Sequence, residues 1–80
     1  MKKIRLHDPH GSLYHGKIKT DGRVVLYDLG GNYWHGRVKS SGKIVLFDRQ
    51  GKYYHGTIET DGDIVLYDEK GNDWHGSAVS

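Results

Sequence analysis

Cysteine is absent from the 80 residues, which excludes disulfides, thiolate nucleophiles and cysteine-ligated zinc together. Proline occurs once, as Pro9. Unbroken apolar runs stop at three or four residues, as in Ile44-Val45-Leu46-Phe47. They fall far short of the roughly 18 needed for a membrane-spanning helix, and no signal-peptide core is expected either. Apolar residues make up 35% of the chain, so a single small core is all it can build. Residues 1–80 therefore read as one domain.

What the chain does have is a repeat. Shifted by twenty residues, the sequence falls onto itself, dividing into units 4–23, 24–43, 44–63 and 64–80. Each unit opens with an apolar stretch and an aspartate, as in Val24-Val25-Leu26-Tyr27-Asp28. Three residues after each aspartate stands Gly11, Gly31, Gly51 or Gly71. An aromatic-His-Gly triplet follows: Tyr14-His15-Gly16, Trp34-His35-Gly36, Tyr54-His55-Gly56 and Trp74-His75-Gly76. Eleven of the twelve glycines occupy repeat-equivalent positions, with Gly30 the exception, so the period is a property of the whole chain.

Each unit predicts two short strands. The first is rich in β-branched and aromatic residues, and the second alternates. Asp-x-x-Gly suits a type I turn closed by a left-handed glycine bulge. Thr-Asp-Gly and Ser-Ser-Gly do the same at the other end of each unit. A period of twenty leaves no length for a helix, so the fold class is all-β: four hairpin repeats forming an eight-stranded antiparallel meander.

Turn length sets which residues face inward. Three-residue bulged links place Leu26 opposite Trp34, Val24 opposite Gly36 and Ile18 opposite Val24. One face then carries Ile4, Leu6, Tyr14, Ile18, Val24 and Leu26 with their equivalents Trp34, Val38, Ile44, Leu46, Tyr54, Ile58, Ile64, Leu66, Trp74 and Ala78. Gly16, Gly36, Gly56 and Gly76 share that face, where they are expected to leave room beside an aromatic ring. Even-length links would instead bring Val25 and Tyr27 inside, because a slip of one residue flips a strand. The left-handed glycine favours the bulged register.

Free edges invite aggregation, and neither outer strand has a capping unit. Eight strands make a barrel just wide enough to fill with side chains, so a closed small barrel is favoured over an open twisted sheet. Charge is unevenly divided. Residues 1–43 carry nine Lys/Arg against three Asp, giving +6, whereas residues 44–80 carry three against seven Asp/Glu, giving −4. Closing strand one onto strand eight, or stacking chains head to tail, is expected to bring opposite charges together.

The Gly-x-x-aromatic-x-Gly-x-apolar spacing of Gly31, Trp34, Gly36 and Val38 recurs in all four units and resembles the membrane occupation and recognition nexus (MORN) repeat. The period here is shorter than in that family. The stretch from Tyr27 to Asn32, repeated at Tyr67 to Asn72, is similar to the YD repeat of bacterial shell-forming toxins. Both resemblances imply hairpin repeats and an interaction role, and neither implies a catalytic residue.

The histidines at 15, 35, 55 and 75 invite a metal reading. Equivalent residues two strands apart lie about 9.5 Å from one another, too far to share an ion at about 2.0–2.1 Å. They read instead as histidines on half-buried strands, stacked on neighbours such as Tyr27 and hydrogen-bonded to the next strand. Asp8, Asp28, Asp48 and Asp68 read as turn acceptors rather than acid–base groups. Neither a phosphate-cradling glycine loop nor a Ser-His-Asp order is present, so no enzyme and no cofactor are expected.

The mixed face is the candidate binding surface: Tyr27, Tyr33, His35, Arg37, Phe47, Tyr53, His55, Tyr67 and His75. It suits a protein interface, where Tyr and Arg are enriched. The expected function is a non-catalytic module for protein–protein interaction or self-association. The alternative is a small multivalent carbohydrate-binding protein, since sugar rings stack on aromatic faces. Lys2, Lys3, Arg5, Lys17, Lys19 and Arg23 form a basic edge, but a net charge of +2 favours solvation over specific nucleic-acid binding.

Overall fold

The computed structural model describes residues 1–79, and Ser80, the last residue of the expected fourth repeat and eighth strand, lies outside them. The strands are β1 (Lys2–His7), β2 (Leu13–Ile18), β3 (Arg23–Tyr27), β4 (Tyr33–Val38), β5 (Lys43–Phe47), β6 (Tyr53–Ile58), β7 (Asp63–Tyr67) and β8 (Asp73–Val79). Every neighbour in sequence pairs antiparallel, and β1 pairs with β8, so the meander closes into a barrel.

Turn chemistry sets the register. The Asp8 carbonyl accepts the Gly11 N–H at 3.0 Å, while the Asp8 N–H donates to the Ser12 carbonyl at 3.1 Å. The opposite end of the unit repeats this motif, with Gly22 donating to Lys19 at 2.9 Å. Seven link glycines adopt φ between 83° and 97°, a region that a side chain makes costly. The Gly22, Gly42 and Gly62 carbonyls then accept the N–H groups of Val38, Ile58 and Ala78 at 2.7–2.8 Å. Each of these turns is thereby tied to the following repeat.

Leu26 faces Trp34, Val24 faces Gly36, and Ile18 faces Val24. All sixteen residues expected inside are there: thirteen are buried, and Val38, Tyr54 and Ile58 pack half-buried against them. Ile and Leu pairs fill the waist, among them Ile4, Leu6, Ile44 and Leu46. Four large rings plug the end that carries the Asp turns. Tyr14 lies 4.6 Å from Trp74 and 5.0 Å from Trp34 between ring centroids, and Tyr54 lies 5.2 Å from Trp74. Ile18, Val38, Ile58 and Ala78 line the other end.

Two expectations need correction. Gly16, Gly36, Gly56 and Gly76 do not make room for a ring. A Cβ at Gly36 would strike the carbonyl oxygen of Val45, and Gly16 and Gly56 are crowded in the same way by Val25 and Val65. Adjacent backbones approach too closely for any side chain, which is how so small a barrel curves. At Gly76 the same clash is with Arg5, so the seam between the termini is built like every other repeat junction. Charge, moreover, does not zip the seam. Lys3 faces Val79, Arg5 faces Ser77 and His7 faces His75, and no ion pair crosses it among the described residues.

The two glycine classes should separate in mutagenesis. At Gly31 a Cβ meets nothing within 4 Å, so Gly31→Ala costs only the left-handed backbone penalty, about 1–2 kcal/mol. Gly36→Ala forces β4 and β5 apart and should cost more than about 3 kcal/mol, beyond ordinary overpacking. Urea unfolding of the two variants measures the order, and equal losses would contradict backbone contact at Gly36.

Candidate functional site on the outer face of the barrel

Side chains that point outward form oblique rows, because hairpins of the two types are offset from one another. Lys3 faces Lys17, Lys17 faces Val25, Val25 faces His35, His35 faces Phe47, and Phe47 faces Tyr53. Repeat symmetry generates the second row: Arg23, Arg37, Val45, His55, Tyr67 and Asp73. The third runs Lys43, Thr57, Val65, His75, His7 and Leu13. The fourth runs Asp63, Ser77, Arg5, His15, Tyr27 and Tyr33. Every row has its histidine in the fourth place.

Neighbouring rows bring rings together. Tyr33, His35, Phe47, Tyr53, His55 and Tyr67 make an unbroken ribbon with successive centroids 5.3–6.5 Å apart. Tyr53 and His55 are stacked, with an interplanar angle of 19°. The ribbon is solvent-facing: Phe47 is 38% exposed and Tyr33 45%. Six of the nine expected site residues are therefore contiguous.

The other three flank the ribbon, Tyr27 directly opposite Tyr33 at its end. Tyr27 packs with His15 at 6.3 Å, Arg37 lies at the cationic end of the second row, and the His75 Nε2 sits 2.9 Å from the Asp73 carboxylate. His15 belongs with the set, and its place in the first aromatic-His-Gly copy is the signal for it. The expected stacking is met at His55, on Tyr53; His15 against Tyr27, His35 against Phe47 and His55 against Tyr67 are tilted by 38–42° instead. The expected hydrogen bonds from their rings to the next strand are not seen among the described residues.

Two adjacent grooves lie between the rows. One, of about 670 Å³, has Lys3, Arg5, Lys17, His15 and Tyr27 on its walls and Val25 in its lining. The next, of about 780 Å³, has Arg23, Arg37, Lys39, His35 and Phe47 on its walls and shares Val25 and Lys19 with the first. Both grooves and the cations lie outside, and among the described residues no charged residue is buried.

At the aspartate end the turns are held as expected. Asp28 Oδ1 accepts the N–H groups of Gly30 and Asn32 at 2.8 and 2.9 Å. The second carboxylate oxygen takes one of two partners. In the first and third repeats the core tyrosine supplies it, with Tyr14 and Tyr54 hydroxyls donating at 2.9 and 3.3 Å. In the second and fourth, where tryptophan has no hydroxyl, Asn32 and Asn72 donate at 3.0 and 3.2 Å instead. Asparagine occurs in the sequence only at these two positions, each two residues before a tryptophan. That coincidence is the legible sign of the substitution.

A cleft of about 550 Å³ beside Trp34 is lined by Asp28, Asn32, Asp48 and Arg49, among others. The buried Trp34 Nε1 makes no well-formed hydrogen bond among the described residues, and its ring packs edge-on against Tyr54. Among the described residues no three His, Asp or Glu side chains gather as a metal site. Compared with protein-family models, curated proteins and solved structures, the chain matches none of them.

Hydrogen bonding shifts these carboxylates. Asn32 and the turn N–H groups hold Asp28 below the ordinary aspartate range. For Asp8 and Asp68 partial burial pulls upward, but hydrogen bonds from Ser12, Tyr14 and His10, and from Asn72 and Lys70, outweigh it. A depressed folded-state value contributes stability above the unfolded value, about 3.9, and that stability is lost as pH falls through the folded value. Thermal melts from pH 6 to pH 2 should thus be flat down to about pH 4 and fall below it. Asp28→Asn should lower the melting temperature at pH 6 and flatten the acid decline.

Proposed function

We propose that this protein is a non-catalytic interaction module that holds a protein surface, a second copy of itself included, through the outer ribbon from Tyr33 to Tyr67. The observation that carries the reading is the ribbon itself: six rings in mutual contact and exposed to solvent. The core does not use them, because it is already filled by the inward residues. Exposed apolar area gathered in one place favours association, and tyrosine at an interface offers large contact area with few bonds to immobilise. The hairpin repeat, which resembles MORN units, supports the same role.

Closure directs how such association happens. With β1 paired to β8, no strand edge is free to add a partner strand. Contact must run through side chains of the outer face.

Light scattering across about 10 μM to 1 mM tests the self-association branch, and the mass should rise with concentration. Phe47→Ser combined with Tyr53→Ser should abolish the rise while leaving the β-sheet circular dichroism and melting temperature nearly unchanged, because both rings lie outside the core. A monomer at every concentration, together with retention on immobilised glycans that free sugar competes away, would replace this reading with the carbohydrate-binding one.

A further inference from the structure

We infer that the two grooves over β1–β5 bind single-stranded nucleic acid without sequence preference, with phosphates along the cationic ends of the rows and bases on the rings beyond. The fold itself supplies an internal comparison. All four rows share one scaffold, yet their first two places read Lys3-Lys17, Arg23-Arg37, Lys43-Thr57 and Asp63-Ser77. The barrel closes equally well over each, so the cations are not needed for folding. They are concentrated on one half, and the seam does not use them to balance opposite charge.

Little inside the molecule neutralises them. Among the described residues, the only Lys or Arg in an ion pair is Arg23, whose Nε lies 3.3 Å from Asp21 at an exposed turn. Arg23 and Arg37 face each other directly across β3 and β4, as Lys3 and Lys17 do across β1 and β2. Like charges opposed on a sheet are destabilising, and a polyanion relieves that repulsion. Along the same grooves the chemistry changes from cation to valine to His15 and Tyr27, or to His35 and Phe47. A basic track beside exposed rings is the arrangement that single strands use, since every base has a face to stack and its phosphates follow at regular intervals. The grooves share Val25 and Lys19, so one strand can pass from the first to the second. A bare polyanion would leave the rings idle, and a duplex would keep its bases stacked on each other.

The test uses the intact protein and fluorescein-labelled oligo-dT of about 12 nucleotides, followed by anisotropy. Binding is expected at low salt. Its logarithm should fall with log[salt] at about −0.7 per phosphate neutralised, or about −3 for four contacts. Lys17→Ser with Arg37→Thr, which copies the fourth and third rows into the first two, should weaken binding at least tenfold and reduce the salt slope. Phe47→Ser should weaken it about tenfold without changing the slope. The reciprocal variant, Thr57→Arg with Ser77→Lys and Asp63→Lys, should raise the number of oligonucleotides bound per barrel. All these positions are exposed, and unchanged melting curves verify folding.

Absence of binding at about 20 mM salt would overturn the inference. So would a Phe47→Ser variant that binds as tightly as the parent, or polyaspartate competing as well as unlabelled oligo-dT. Salt-sensitive oligomers abolished by the Lys17/Arg37 variant, with no oligonucleotide bound, would assign the basic half to the acidic half of a second copy instead. Loss of self-association in the Phe47/Tyr53 double variant with oligonucleotide binding still sensitive to Lys17 and Arg37 keeps this inference separate from the interaction role above.

Discussion

Everything in this barrel depends on four places where one strand lies directly against the backbone of the next. Gly16, Gly36, Gly56 and Gly76 have no Cβ, and a Cβ would meet the carbonyl of Val25, Val45, Val65 or Arg5. Strands of five to seven residues offer few ladder bonds with which to impose curvature. Removing the side chain at one point per repeat lets the sheet coil tightly enough to join its own first strand. Closure then removes both edges and encloses the core between a plug of four aromatic rings and a lid of smaller aliphatic residues.

On that fourfold scaffold two lower symmetries are superimposed. The alternation of tyrosine with tryptophan-plus-asparagine repeats every second unit, and in each case the turn aspartate ends with both oxygens occupied. The alternation lets the barrel end hold two indoles and two phenols, two ring shapes from one template. The charge pattern has no symmetry at all: it runs from basic to acidic once around the barrel. Structure explains the first alternation and gives no folding reason for the second pattern.

Much of the fold was legible because two independent signals agreed. Turn chemistry set link lengths, and link lengths set the side of every strand; Leu26 opposite Trp34 follows from Gly31 alone. The function of the inward glycines was misread, because sequence reveals that a side chain is missing and not what occupies its place. Charge misled in a similar way, since the sum over each half of the chain says nothing of which residues meet at the seam. The ribbon was half legible. Periodicity put Tyr33, His35 and Phe47 on one face, but their contact depends on the offset between the two hairpin types, which brings residues of different repeats side by side. The two grooves have the same origin, and no single repeat contains either of them.

That offset has a consequence for what one unit can hold. The row from Lys3 to Tyr53 draws its members from three successive units and the segment before them, and the rows through His75 and Arg5 cross the seam. A single twenty-residue hairpin thus contains no row, and a chain of two or three units would leave some rows broken at an open edge. The Lys3 to Tyr53 row and the aromatic ribbon need three units side by side, whereas the rows through His75 and Arg5 exist only where β1 meets β8. The outer surface is a collective property of neighbouring units, while the inside is repeated within each of them.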